Sequence, residues 1–68
     1  MNPSEVRDAR KALGLTLHEF SIVLDTDVTT TRKMELSYEC SQYRKPAPRM
    51  VRLIEAYLSG YRPKDWPK

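Results

Sequence analysis

The chain has 68 residues, enough for one domain, and its 12 Lys+Arg against 9 Asp+Glu give a formal net charge of +3. A lone cysteine, Cys40, excludes an intramolecular disulfide, and a lone histidine, His18, leaves no Cys/His cluster with metal-ligand spacing. No apolar run reaches membrane-spanning length, and the opening MNPSEVRDAR is too polar and too acidic for a signal peptide, so a reducing cytoplasm is the expected compartment.

The first helix is expected to start at Asn2. Asparagine is a good N-cap, Pro3 suits the first helical position, and Glu5 stands three residues after the cap. Val6, Ala9 and Leu13 recur at helical spacing and predict the inner face, with Arg7, Asp8 and Lys11 toward water. Gly14 is expected to end this helix with a positive φ. A second capping box follows at Thr16 and Glu19, and Leu17, Phe20, Val23 and Leu24 predict a helix over Leu17–Leu24. Ser21 is small enough to let two helices approach closely, and His18 falls among the surface positions.

Asp25-Thr26-Asp27 breaks the pattern. Asp27 is a natural N-cap for a third helix over Val28–Leu36. Thr29, Thr30 and Thr31 alone would permit a strand, but the preceding cap and the run Arg32-Lys33-Met34-Glu35-Leu36 favour a helix. On it Thr31 and Met34 share one face, while Val28, Thr29, Arg32 and Lys33 share the other. Ser37–Pro48 lacks periodicity and reads as a loop, with room for one helical turn. A fourth helix over Pro48–Leu58 carries a wide apolar stripe of Met50, Val51, Leu53, Ile54, Tyr57 and Leu58, opposite Arg49, Arg52 and Ser59, and stops at Gly60. The tail YRPKDWPK holds two prolines and cannot be helical throughout; Tyr61 and Trp66 either fold back onto the bundle or meet a partner. The whole predicts an all-α, compact bundle of four to five helices over residues 1–60, followed by a tail over 61–68.

Charge is unevenly placed. Arg32, Lys33, Arg44, Lys45, Arg49 and Arg52 all follow the Asp27 turn, interrupted only by Glu35 and Glu39. A basic surface of this kind is the footprint expected for a phosphate backbone. The competing reading is a solvated face that keeps the chain soluble. No nucleophile with a base or carboxylate partner is placed by the sequence, and a chain this short has little room for a ligand pocket. Neither an enzyme, a cofactor nor a small-molecule ligand is therefore expected.

The stretch ARKALGLTLHEFSIVLDTDVTTTRKMEL resembles the Cro-type (XRE-like) helix-turn-helix repressors of phages and bacteria. The family pattern is R-x-x-x-G-L-T-Q-x-x-L-A-x-x-L-G-V-S-x-x-T-[VI]-x-x-[WI]-E-x-G, matched here by Arg10, Gly14, Leu15, Thr16, Glu19, Phe20, Leu24, Thr30, Met34 and Glu35. The chain departs from it at Leu17, where a polar residue is usual, at Asp25, where the turn glycine is usual, and at Thr26 and Thr31, where buried aliphatic residues are usual. YRKPAPRMVRL is similar to a YRPAP-type segment in the small repressors that accompany anti-CRISPR genes.

The resemblance implies a lambda-repressor-like DNA-binding fold, with Val28, Thr29, Arg32 and Lys33 on the groove face of a recognition helix. Arg32 has the fork for guanine O6 and N7, and Val28 and the Thr29 methyl can pack on a thymine methyl. Thr16 and Thr30 suit phosphate contacts, and Lys33, Arg44, Lys45 and Arg49 suit sequence-independent attraction to the backbone. The resemblance also implies a structural ion pair between Arg10 and Glu35, against the alternative of two independent surface charges. One such motif reads few base pairs, so a homodimer on an inverted repeat of double-stranded DNA is expected, with its contact around Tyr57, Tyr61 and Trp66. The other candidate is an antitoxin-like or adaptor protein-interaction module that keeps the fold without DNA binding.

Overall fold

The computed structural model describes residues 1–67; Lys68, the last residue of the 61–68 tail, lies outside them. Four helices run in the order α1 (Pro3–Ala12), α2 (Leu17–Val23), α3 (Val28–Met34) and α4 (Pro48–Leu58), with no strand among the described residues. The architecture is an all-helical globule whose radius of gyration, 11.1 Å, matches the ~11 Å of a compact chain of this length.

Each of the first three helices starts on a side-chain cap. Asn2 and Glu5 exchange hydrogen bonds of 2.8 Å with each other's backbone N–H. Thr16 and Glu19 do the same at 2.9 and 3.1 Å. Asp27 accepts from the Thr30 N–H at 2.6 Å. These bonds satisfy N–H groups that have no partner inside the helix, which is why short polar residues at these points start helices. α4 begins without a side-chain cap; Ala47 is held extended at ψ 151° ahead of Pro48.

Three of the helices end alike. After α1 the Leu15 N–H reaches the Arg10 carbonyl and the Gly14 N–H reaches that of Lys11, with Gly14 at φ +71°. After α2 the Thr26 and Asp25 N–H groups reach the Ser21 and Ile22 carbonyls, with Asp25 at φ +56°. After α4 the Tyr61 and Gly60 N–H groups reach Ala56 and Tyr57, with Gly60 at φ +110°. This paired closure needs a left-handed residue just past the cap. Asparagine and aspartate enter that region more readily than other residues with a Cβ, and Asp25 does so here. α3 ends differently, at Met34, two residues before the expected Leu36. The Lys33 carbonyl takes both the Leu36 N–H at 3.3 Å and the Arg44 N–H at 3.1 Å, so the helix tightens and the following loop is drawn back against its end.

The core consists of Val6, Ala9, Leu15, Phe20, Val23, Leu24, Met34, Met50, Ile54 and Tyr57. α2 packs on α3 and α1 on α4. On α4 the buried positions are Met50, Ile54 and Tyr57, a narrow stripe. Leu58, expected inside, is exposed, because α1 and the segment after Gly60 cover other sides of the helix. Two buried hydroxyls are satisfied within their own helices: Ser21 donates to the His18 carbonyl at 2.6 Å and Thr31 to that of Asp27 at 3.0 Å. No buried side-chain nitrogen or oxygen among the described residues lacks a partner, as a stable small core requires.

Candidate nucleic-acid interface

α3 turns ~100° per residue, so Val28, Thr29, Arg32 and Lys33 fall within an arc of ~140°. The opposite side carries Thr31 and Met34, both fully buried. Val28, Thr29 and Arg32 are exposed and Lys33 is half-buried. The α3 backbone is seated by Thr31 and Met34 below, by the Asp27 cap at its start, and by Glu35 just past its end.

Glu35 is the anchor to α1. Its carboxylate accepts from Arg10 Nε at 2.8 Å and Nη2 at 3.2 Å, and Arg10 Nη1 donates to the Leu15 carbonyl at 3.1 Å. The pair consumes the acid nearest the end of α3, leaving Arg32 and Lys33 uncompensated by it.

Beside α3 lies an open groove of ~340 Å³ lined by Thr26, Thr30, Arg44, Lys45, Ala47 and Arg49 over Met34 and Met50. Four of the six residues expected to hold the phosphate backbone, Thr30, Arg44, Lys45 and Arg49, are thus brought together, while Lys33 is not part of the lining. The Arg44 N–H bond to α3 places the loop, while buried Pro46 and partly buried Ala47 root it in the bundle, so Arg44 and Lys45 stand out into solvent. Thr16 is not in this groove either, and its Oγ1 already accepts from the Glu19 N–H. Arg52 is exposed elsewhere on α4. Asp27 sits at the edge of the same region. The Thr30 hydroxyl and N–H, with smaller contributions from Arg44 and Lys33, hold its carboxyl below the usual aspartate range. It stays anionic and keeps its cap at neutral pH.

No family model matches the chain, and no match to a curated protein or to a solved structure was found.

Of the Tyr57, Tyr61 and Trp66 set expected at a partner contact, only Tyr61 stands exposed. Tyr57 is buried within its own chain and unavailable to a phosphate or partner: its hydroxyl donates to the Val23 carbonyl. Burial, with Tyr61 and Asp65 nearby, pushes the phenol pKa up. Trp66 is half-buried against Tyr57, while Tyr61 is exposed. Tyr38 and Tyr43 meet edge to face at 5.0 Å within the loop, and desolvation raises the Tyr43 pKa. A tyrosine in the middle of an apolar stripe was the available signal for the Val23 bond, since a buried phenol hydroxyl needs an acceptor. No group of acidic, histidine or cysteine side chains suited to a metal ion occurs among the described residues, and none of their helices is long and apolar enough to cross a membrane.

Proposed function

We propose that this protein is a sequence-specific double-stranded DNA-binding regulator of the lambda-repressor-like helix-turn-helix type, acting in the cytoplasm as a repressor. α3 is its recognition helix and α2 the brace that crosses the backbone. The observation that carries this reading is the pairing of two surfaces: the outward Val28, Thr29, Arg32 and Lys33 face, and the adjoining groove edged by Thr30, Arg44, Lys45 and Arg49. Side chains able to read base edges stand next to cations able to hold the flanking phosphates, which is the division of labour that duplex recognition needs. The sequence resemblance to the Cro-type repressors, including the Arg10 and Glu35 positions, points the same way.

Two copies on an inverted repeat supply the base pairs that one short helix cannot read. Leu58 and Tyr61, exposed at the end of α4, are the residues offered to that contact.

The decisive experiment selects bound sequences from a random duplex pool and titrates the winner by fluorescence anisotropy over a range of salt. A symmetric motif bound in a salt-dependent way supports the proposal, and a single unsymmetrical half-site removes the dimer. A second reading, an antitoxin-like or adaptor module, is favoured by the exposure of Val28 and Ile22, 38% and 43%. Negligible duplex binding at ~50 mM salt, where phosphate contacts are strong, puts that reading first.

A further inference from the structure

The last turn of α4 and the segment after it form a closed set of contacts that ends on the helix-turn-helix candidate. Gly60, at φ +110°, turns the chain back. Arg62 Nη1 then donates to the carbonyls of Tyr57 and Tyr61, both at 2.8 Å, and its guanidinium lies 4.3 Å from the centre of the Trp66 ring. Trp66 meets Tyr57 edge-on at 5.2 Å, Tyr61 stacks on Tyr57 at 5.9 Å and 6° between planes, and the Trp66 N–H closes a turn on the Pro63 carbonyl. The Tyr57 ring is therefore enclosed between two rings of the tail, and Arg62 braces that enclosure by spanning from the Tyr57 backbone carbonyl to the face of Trp66. The Tyr57 hydroxyl leaves that enclosure to reach the Val23 carbonyl, 34 residues back.

Val23 is the final residue of α2, and the last four carbonyls of a helix have no partner inside it. Immediately after come Leu24, the left-handed Asp25 and the cap of α3, so the direction in which α3 leaves α2 is set within four residues of the Tyr57 bond. The bond comes from outside the helix pair and gives the end of α2 a fixed external reference.

We infer that Tyr57 is a positioning residue for α3 and that the 61–67 segment, through Arg62 and Trp66, holds it in place, so that the tail governs how well α3 is presented to DNA. The last step rests on the DNA-binding reading; the coupling from tail to the α2–α3 turn does not. A tail that only adds bulk stability would loosen the whole molecule evenly when cut, whereas this arrangement loosens one turn.

Tyr57→Phe keeps the ring between Trp66 and Tyr61 and removes only the link to Val23. Arg62→Ala opens the enclosure and leaves Tyr57 intact. Both are compared with wild type under conditions where each is fully folded. In the free protein, amide hydrogen exchange at Asp25 and Thr26 should quicken about tenfold in Tyr57→Phe, with exchange at Val6 and Ala9 unchanged. Arg62→Ala should move the same two amides by less and shift the emission of Trp66, the only tryptophan, to the red. On DNA, affinity for the selected duplex should fall about tenfold in Tyr57→Phe while affinity for random duplex holds, because phosphate contacts are insensitive to small changes in α3 pose. An unchanged turn, or equal acceleration at every amide, overturns the coupling. A quickened turn with no loss of specific affinity overturns the role in DNA presentation. Absence of any duplex binding in the wild type defeats the DNA-binding reading instead, and the exchange result still decides the coupling.

Discussion

Arg10 and Glu35, 25 residues apart, lock the end of α1 to the end of α3 through two hydrogen bonds of 2.8 and 3.2 Å between guanidinium and carboxylate. Their side chains are only 17% and 9% exposed, so solvent does little to screen either charge once its partner is gone. Arg10→Ala or Glu35→Ala should each cost ~3–5 kcal/mol in urea unfolding, because one buried charge is left unpaired. The double substitution Arg10→Met with Glu35→Leu should recover most of that loss, since neither charge remains. Single variants that lose less than ~1 kcal/mol would place the pair among solvated surface contacts.

Asp25 bears the strain of the α2–α3 turn. Its φ of +56° disfavours a Cβ, although aspartate tolerates it better than most residues. Asp25→Gly should therefore leave stability unchanged or raise it by up to ~1 kcal/mol, and Asp25→Ala should lower it by ~1 kcal/mol. Thermal unfolding of the two variants reads the opposite signs directly. Equal effects would mean that the turn is held by something other than the backbone conformation at this position.

These two sites also mark what the sequence discloses and what it hides. Caps such as Asn2, Thr16 and Asp27 were legible because each depends on a partner three residues away. The left-handed Gly14 was legible for the same local reason. The outward set on α3 followed from helical period and the buried Met34. Leu58 misled because period alone cannot tell which part of a wide stripe its neighbours will cover. The early end of α3 depends on the Arg44 N–H arriving from the loop, and the groove depends on that same return. The Arg62 and Trp66 contacts require knowing where the end of α4 lies in space. Tertiary placement supplied all of these, and no local pattern encodes it.

Acid should act on α3 first through its cap. The carboxyl of Asp27 lies below its ordinary 3.8, lowered chiefly by the Thr30 hydroxyl and then by the Thr30 N–H. A carboxylate depressed in the folded state adds stability that is complete above the unfolded pKa and is lost as pH falls through the folded one. Melting temperature measured from about pH 6 to about pH 2 should fall along a limb that Asp27→Asn makes shallower, since asparagine caps without titrating. The variant should show its largest deficit near neutrality and the smallest at the acid end. Parallel curves for the two proteins would remove Asp27 from the acid response.

Arg32 and Arg44 should separate base reading from backbone holding on the proposed duplex complex. Arg32 is exposed on the outer face of α3, whereas Arg44 edges the groove beside it. A guanidinium set against guanine O6 and N7 discriminates by ~1–3 kcal/mol. Arg32→Ala should therefore cost that much on the selected duplex, almost nothing on a duplex altered at the contacted base pair, and should relax preference at that one position. A phosphate contact releases counterions whatever the sequence. Arg44→Ala should weaken all duplexes alike and make the plot of log affinity against log salt shallower by ~0.9. Anisotropy titrations of both variants on both duplexes, each at several salt concentrations, give the four slopes and the four affinities. If Arg44→Ala proved base-selective and Arg32→Ala changed only the salt slope, the roles assigned to α3 and to the groove would have to be exchanged.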